Sequence, residues 1–328
     1  MSAEIKIIHQ LCHNEIFEGS SRSWADMKAW LASSNYLMAK KLSKTSTKGG
    51  KFFTNNFELK VNDIESFYTS MANDCNRFAQ AAIESMWTIN KNEALPRSAG
   101  WTTVKMYYAS FYAAHAILRL YGQSCSQYEK EHIDKVFEVA KATSMNHDVS
   151  CIEQGFYLSC IDKQKKEVSY SKLKDSHADT WYSFSSLLDT LMSEIPSQTT
   201  GLSDYKDNAF TMLSNLKQAL VRPNAYRGNW LSQIRNKIHY QHTYGAWFPY
   251  NGASHDPDDI NRNTRWIQNP EVYDLTNKPA DVIGNLSNIS NFMVSLMHHL
   301  IAYGNERTDG KSVIFRNGYM KLINQINI

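Results

Sequence analysis

The sequence predicts an all-α protein, a helical bundle interrupted by a small β-hairpin and by one long loop near its carboxyl end. Three observations lead there. Apolar residues recur every three or four positions through most of the 328 residues, proline and glycine number only 7 and 14, and Tyr, Phe and Trp make up 12% of the chain. That combination suits long helices whose grooves are filled by aromatic rings. A hydrophobic content of 42% is enough to bury a sizeable core, and the whole chain, 1–328, reads as a single domain.

Taken in order, Ser23 is placed to cap a first helix over 24–44, in which Met27, Trp30, Leu31, Leu37 and Met38 fall at roughly helical spacing. Residues 45–61 carry Lys48, Gly49, Gly50 and Lys51 and then the alternating FELKV, which reads as a loop with a short strand. KGGK lacks the spacing of a phosphate loop and reads as a basic turn. A long helix follows over 62–91, with Ile64, Phe67, Tyr68, Met71, Cys75, Phe78, Ala82 and Met86 on one stripe, stopped by Pro96. The next, 100–120, sets Trp101, Tyr107, Tyr108, Phe111 and Tyr112 among Ala109, Ala113, Ala114 and Ala116, the pattern of a central helix that its neighbours approach closely. His115 in its apolar wall is expected to be a hydrogen-bonded core histidine.

Residues 127–142 form another amphipathic stretch, and 155–161 with 167–173 alternate as a hairpin should. Helical periodicity returns over 178–192 and 205–220. Arg222 and Pro223 then introduce a helix holding RNKIHYQH, residues 235–242, for which Gly245 is a suitable end. Residues 246–279, with Pro249, Pro257, Pro270 and several Asn and Asp, form a long loop of the kind that serves as a lid or flap. A last helix covers 281–302.

RNKIHYQH is the segment richest in chemistry. At about 100° per residue, His239 lies roughly 40° and His242 roughly 20° from Arg235 around a helix, so the three side chains share a face while Tyr240 points away. A permanent cation beside a group titrating near neutrality is what phosphodiester cleavage requires: one neutralises phosphate charge, the other moves protons. The same spacing also suits a solvated polar face.

Here the chain resembles the HEPN superfamily of nucleotide-binding and ribonuclease domains, which are compact α-helical bundles. The helix GWTTVKMYYASFYAAHAILRLYG is similar to the aromatic, alanine-rich helix of bacterial HEPN proteins. RNKIHYQH is similar to the family motif of Arg, a polar residue often Asn, a gap, then His; RNK followed by His and Tyr also resembles the nuclease extension of unfolded-protein-response sensor kinases. The resemblance spans a HEPN-like core of about 62–245, with the helices over 24–44 and 281–302 packed on it. Family ribonucleases leave four to six residues between Arg and His, most often placing the histidine where Tyr240 stands; His242 fits the broad pattern and His239 falls outside it.

The resemblance implies metal-independent endoribonucleolysis, in which the 2′-hydroxyl attacks the adjacent phosphate to give a 2′,3′-cyclic phosphate. Arg235 would neutralise phosphate charge, His242 or His239 would exchange protons and Asn236 would orient a reacting group, with Lys237, Arg227 and Tyr240 contacting RNA. It further implies a homodimer with a composite site, a toxin or antiviral effector restrained by a regulatory protein or antitoxin, and no cofactor. If Tyr240 replaces the catalytic histidine, the chain would instead be a non-cleaving module binding RNA, nucleotide or a protein; a structural subunit of a larger complex is the third expectation.

The remaining features exclude rather than assign. A net charge of +3 leaves any RNA site to local clustering. The five cysteines, Cys12, Cys75, Cys125, Cys151 and Cys160, have no CxxC pair and suggest reduced thiols. Neither a signal peptide nor a membrane span is expected, which predicts a cytoplasmic protein. HDPDD at 255–259 reads as an exposed acidic turn, and His298 and His299, adjacent on a helix, diverge too far to share a metal, so no metal site is expected.

Overall fold

The computed structural model describes residues 1–19, 24–41, 44–48, 51–54, 56–89, 99–142, 152–222, 224–248, 251, 266–309 and 311–326. The amino-terminal part contains α1 (Ala3–His9), α2 (Glu15–Glu18), α3 (Met27–Ala32), β1 (Tyr36–Lys41), β2 (Lys44–Lys48), β3 (Lys51–Thr54) and β4 (Asn56–Val61). The middle contains α4 (Ile64–Trp87), α5 (Ala99–Leu120), β5 (Gln123–Tyr128), α6 (Lys130–Ala142), β6 (Gly155–Asp162) and β7 (Glu167–Lys172). Then come α7 (Ala178–Glu194), α8 (Lys206–Leu220), α9 (Trp230–Gln241), α10 (Val282–Arg307), α11 (Val313–Asn317) and α12 (Tyr319–Ile326). No helix among the described residues is long and apolar enough to cross a membrane.

The expected all-α class is corrected. Five strands form one antiparallel sheet in the order β1-β4-β7-β6-β5, so the fold is mixed, rich in helix with a small sheet. β2 and β3 pair separately. The hairpin expected over 155–173 is present as β6 and β7, but as an inner pair of that sheet.

The expected helix over 24–44 is also corrected. α3 ends at Ala32, Ser34 takes a left-handed φ of 59°, and Tyr36–Lys41 runs on as β1. Tyr36 is buried and Leu37 exposed, the alternation of a strand rather than a continued helical stripe. Ser23, its expected cap, lies outside the described residues, as do Gly49, Gly50 and Pro96; the Asp26 side chain caps α3 by accepting from Ala29 N. The helix expected from 127 begins at Lys130, because Gln127 and Tyr128 belong to β5.

One face of the sheet is aromatic: Phe57 stacks on Tyr170 at 4.5 Å between centroids, with Tyr157 and Tyr128 around them. α5 is the centre of the helical part, packed against α4 and α10 and flanked by α7 and α9. Its buried Ala109, Ala113, Ala114 and Ala116 permit the close approach. α4 and α5 are tied by a buried ion pair, Arg119 Nη2 to Asp74 Oδ2 at 3.1 Å, with the guanidinium 4.4 Å from the Phe78 ring centre. His115 is a core residue, stacked on Phe78; burial and the Arg119 charge hold it well below its ordinary pKa.

Candidate active site

α9 is set against α5 by the turn before it, which itself packs on α7. Gly228 has φ 76° and sits so close to α7 that a Cβ there would lie 2.9 Å from Ser185 Cβ and 3.1 Å from the Trp181 carbonyl. α9 therefore starts with its Trp230, Leu231, Ile234 and Ile238 face buried.

That register turns Arg235 and His239 towards α5. Arg235 is 7% exposed, its guanidinium 4.9 Å from the centre of the Tyr107 ring and 5.6 Å from that of Tyr108. Among the described residues no carboxylate pairs with it, and its Nε has no hydrogen-bond partner. His239, half-buried, lies beside Trp101 with ring centroids 6.0 Å apart. The two segments carrying the sequence resemblance thus pack on each other.

His242 is placed differently. The regular helix stops at Gln241 and His242 is its cap residue, with φ 53° and its N–H on the Lys237 carbonyl, so extrapolation at constant angle ends one residue short of it. Its exposed ring lies 5.9 Å from Trp247, whose indole donates to the Ile238 carbonyl at 2.8 Å. Gly245, expected to end the helix, falls in the turn beyond. Asn236, Lys237 and Tyr240 are exposed. Arg227 is engaged elsewhere: its guanidinium pairs with buried Asp179 at 2.9 Å and covers the Tyr182 ring.

The side chain that sequence reasoning missed is His177, just before α7. Its Nδ1 is 2.8 Å from the Tyr107 hydroxyl, which also accepts from Trp181 Nε1 at 3.4 Å and hydrogen-bonds Ser232 of α9. Trp181, Ser232 and the Arg235 guanidinium all hydrogen-bond the phenol oxygen in the sense that favours the phenolate, and the direction of the His177–Tyr107 bond follows the imidazole tautomer, Nε2 being the free base when Nδ1 carries the proton. Burial pushes the half-buried His177 below its ordinary pKa and the Arg235 charge pushes it further, Asp175 acting in the opposite sense. Burial likewise raises the Tyr107 phenol, against hydrogen bonds from Trp181 and Ser232 and the Arg235 charge. A cation, an imidazole of lowered pKa and a phenol between them therefore come from α9, the residue before α7, and α5. Nothing in KDSHADT marks His177, since the contact that defines it spans 70 positions.

Among the described residues no group of three His, Cys, Asp or Glu side chains could hold a metal ion. HDPDD lies outside the described residues. No family model, curated protein or solved structure matches the chain.

Proposed function

We propose that the chain is a cytoplasmic, metal-independent endoribonuclease whose site is centred on Arg235. One observation carries the reading: a buried guanidinium without a carboxylate partner among the described residues acts on an imidazole whose pKa burial and that guanidinium both lower. A cation so placed has charge to offer a phosphate, and a neutral imidazole has a lone pair to offer a hydroxyl proton.

In the reaction, with the His177 ring proton on Nδ1, the 2′-hydroxyl gives its proton to His177 Nε2 as the 2′-oxygen bonds to phosphorus. The bond from phosphorus to the 5′-oxygen breaks, and that oxygen takes up a proton from a second group. His239, one turn along α9 from Arg235, is the candidate donor. The products are a 2′,3′-cyclic phosphate and a 5′-hydroxyl, with no water or cofactor consumed. Arg235 neutralises the charge gathering on phosphorus oxygens, and exposed Lys237 and Asn236 flank it. These groups come from one chain, so a homodimer, a restraining partner and a role for His242 are separate proposals.

A second reading, an RNA-binding module that does not cleave, is favoured by the depth of Arg235. Both are tested by incubating the protein with mixed tRNA and mRNA in EDTA, beside Arg235→Ala and His177→Gln, and mapping fragment ends. Cyclic-phosphate ends from wild type, lost in both variants, are expected. Intact RNA bound by wild type overturns cleavage and leaves the module.

A further inference from the structure

A second arginine, just ahead of the helix that carries the first, borders a cavity of about 520 Å³ between α8, the segment 270–277 and Phe292 of α10. Arg222 is 6% exposed and rests 4.2 Å from the centre of the Trp230 ring, which fixes the plane of its guanidinium. Nη1 donates to Asn277 Oδ1 at 2.9 Å, while Nε and Nη2 have no acceptor among the described residues. No carboxylate there lies within salt-bridge distance of it. A buried fork of donors with an incomplete set of acceptors is completed by an oxyanion, whose geometry matches it.

The rest of the wall says what the anion is attached to. Thr211, Asn215 and Gln218 of α8 line the cavity from one helical side, and Arg222 follows two residues beyond the helix end. Neutral amides and a hydroxyl both donate and accept, which suits sugar hydroxyls and heterocycle edges rather than more charge. Phe292 supplies an apolar floor. Of the acidic side chains on the rim, Glu271 accepts from Ser2 Oγ and Asp274 is paired with Lys278 at 2.7 Å. The volume lies in the range of small-molecule sites, roughly 300–1,000 Å³.

We propose that this cavity binds a ribose monophosphate moiety of nucleoside-monophosphate size, with its phosphate on Arg222 and its hydroxyls on the α8 amides. Its lining includes none of Arg235, His177, Tyr107 or His239. The test is calorimetric titration of the full chain with adenosine 5′-monophosphate, ribose 5-phosphate, adenosine and inorganic phosphate, with Trp230 emission as a second readout. Saturable binding of the nucleotide is expected, with adenosine weaker by about tenfold or more for the lost charged contact. Ribose 5-phosphate matching the nucleotide would identify a free sugar phosphate as the source, and weaker binding would identify the nucleotide. Because Arg222→Met removes a buried side chain, the exposed Asn215→Leu is measured beside it, and each should weaken binding about tenfold at an unchanged unfolding curve. Inorganic phosphate binding as tightly as both esters, adenosine as tightly as its monophosphate, no binding of either ester, or no effect of Asn215→Leu in a folded protein would each overturn the proposal.

Discussion

Replacing Arg235 by Met and, separately, Arg119 by Met should have opposite consequences, although both arginines are buried on aromatic rings. Arg119 answers a buried carboxylate: Asp74 is 2% exposed, and Arg119 reaches it with Nη2 at 3.1 Å and Nε at 3.3 Å. Its removal strands that charge, at a cost of about 3–5 kcal/mol for a broken buried pair. Arg77, bonded to the other Asp74 oxygen at 2.6 Å, keeps the loss towards the lower end. Arg235 answers no carboxylate among the described residues. What Met forfeits there is two ring contacts, about 0.5–1 kcal/mol each, and what it relieves is the desolvation of an unpaired cation, of similar size. Arg235→Met should therefore shift unfolding free energy by no more than about 1 kcal/mol, yet lower RNA cleavage by about 10²–10³, the usual loss when one transition-state charge stabiliser is removed. Urea unfolding curves and initial cleavage rates decide. An Arg235→Met protein weakened by about 3 kcal/mol would make Arg235 a structural residue, and cleavage within about threefold of wild type would remove it from the chemistry.

Three further outcomes follow from burial and backbone geometry. His9 and His298 are both held down to about 4 by burial, so each is neutral when folded; stability should be full above pH 6.5 and fall as pH drops towards 4, because the unfolded chain takes up the protons first. The loss should be on the order of 2–3 kcal/mol per histidine, read by urea unfolding at pH 7 and pH 4.5. Gly100→Ala would place a Cβ 2.6 Å from the Trp247 ring; it should cost about 1–3 kcal/mol by overpacking and alter tryptophan emission. Asp63→Ala removes the side chain that accepts from Glu65 N and Ser66 N at 3.1 Å each, and should cost about 1 kcal/mol in thermal or urea unfolding.

How far the sequence could be read depended on which period each segment carries. α4, α5, α7, α8 and α10 announce themselves through apolar stripes of 3.6 residues. β6 and β7 alternate and were legible as a hairpin. β5 was not, because QSCSQY is a polar run whose burial is made possible by hydrogen bonds: Ser124 and Ser126 share one at 2.8 Å, and Ser159 Oγ donates to the Ser124 carbonyl. β1 was hidden by its neighbour, since Leu37 lies at helical spacing from Trp30 and only the break at Ser34 reassigns it. FELKV was legible as a short strand and is β4, but nothing in it shows that it pairs with β7; with that pairing unseen and the two outer strands missed, a five-stranded sheet was read as a separate strand and hairpin, which misread the class. At the site, helical spacing placed Arg235 and His239 on one side but missed the cap conformation that takes His242 out of the series. Tyr107 was legible only as a core aromatic, because its hydroxyl contact depends on how α7 docks.

The link between Arg235 and His177 can be tested without any substrate, by following the His177 ring proton through a pH titration by NMR. Burial is the larger cause of its lowered pKa and the Arg235 charge the second, while Asp175 pulls the other way. Arg235→Met should therefore raise the His177 pKa part of the way back to its ordinary value, leaving the burial effect in place. Asp175→Asn should lower it further, and it keeps a side-chain oxygen to accept from His177 N, a contact of 2.9 Å in the wild type. The sign carries through to stability. A histidine kept neutral by folding contributes nothing lost above its unfolded pKa and is destabilising as pH falls below it, so the Arg235→Met protein should lose less stability on acidification than wild type. Opposite shifts from the two variants would establish that guanidinium and carboxylate act on the same imidazole from different sides. An unchanged His177 titration in Arg235→Met would mean that the two groups do not share a site, and the assignment of His177 as the base would fall even if the protein cleaved RNA.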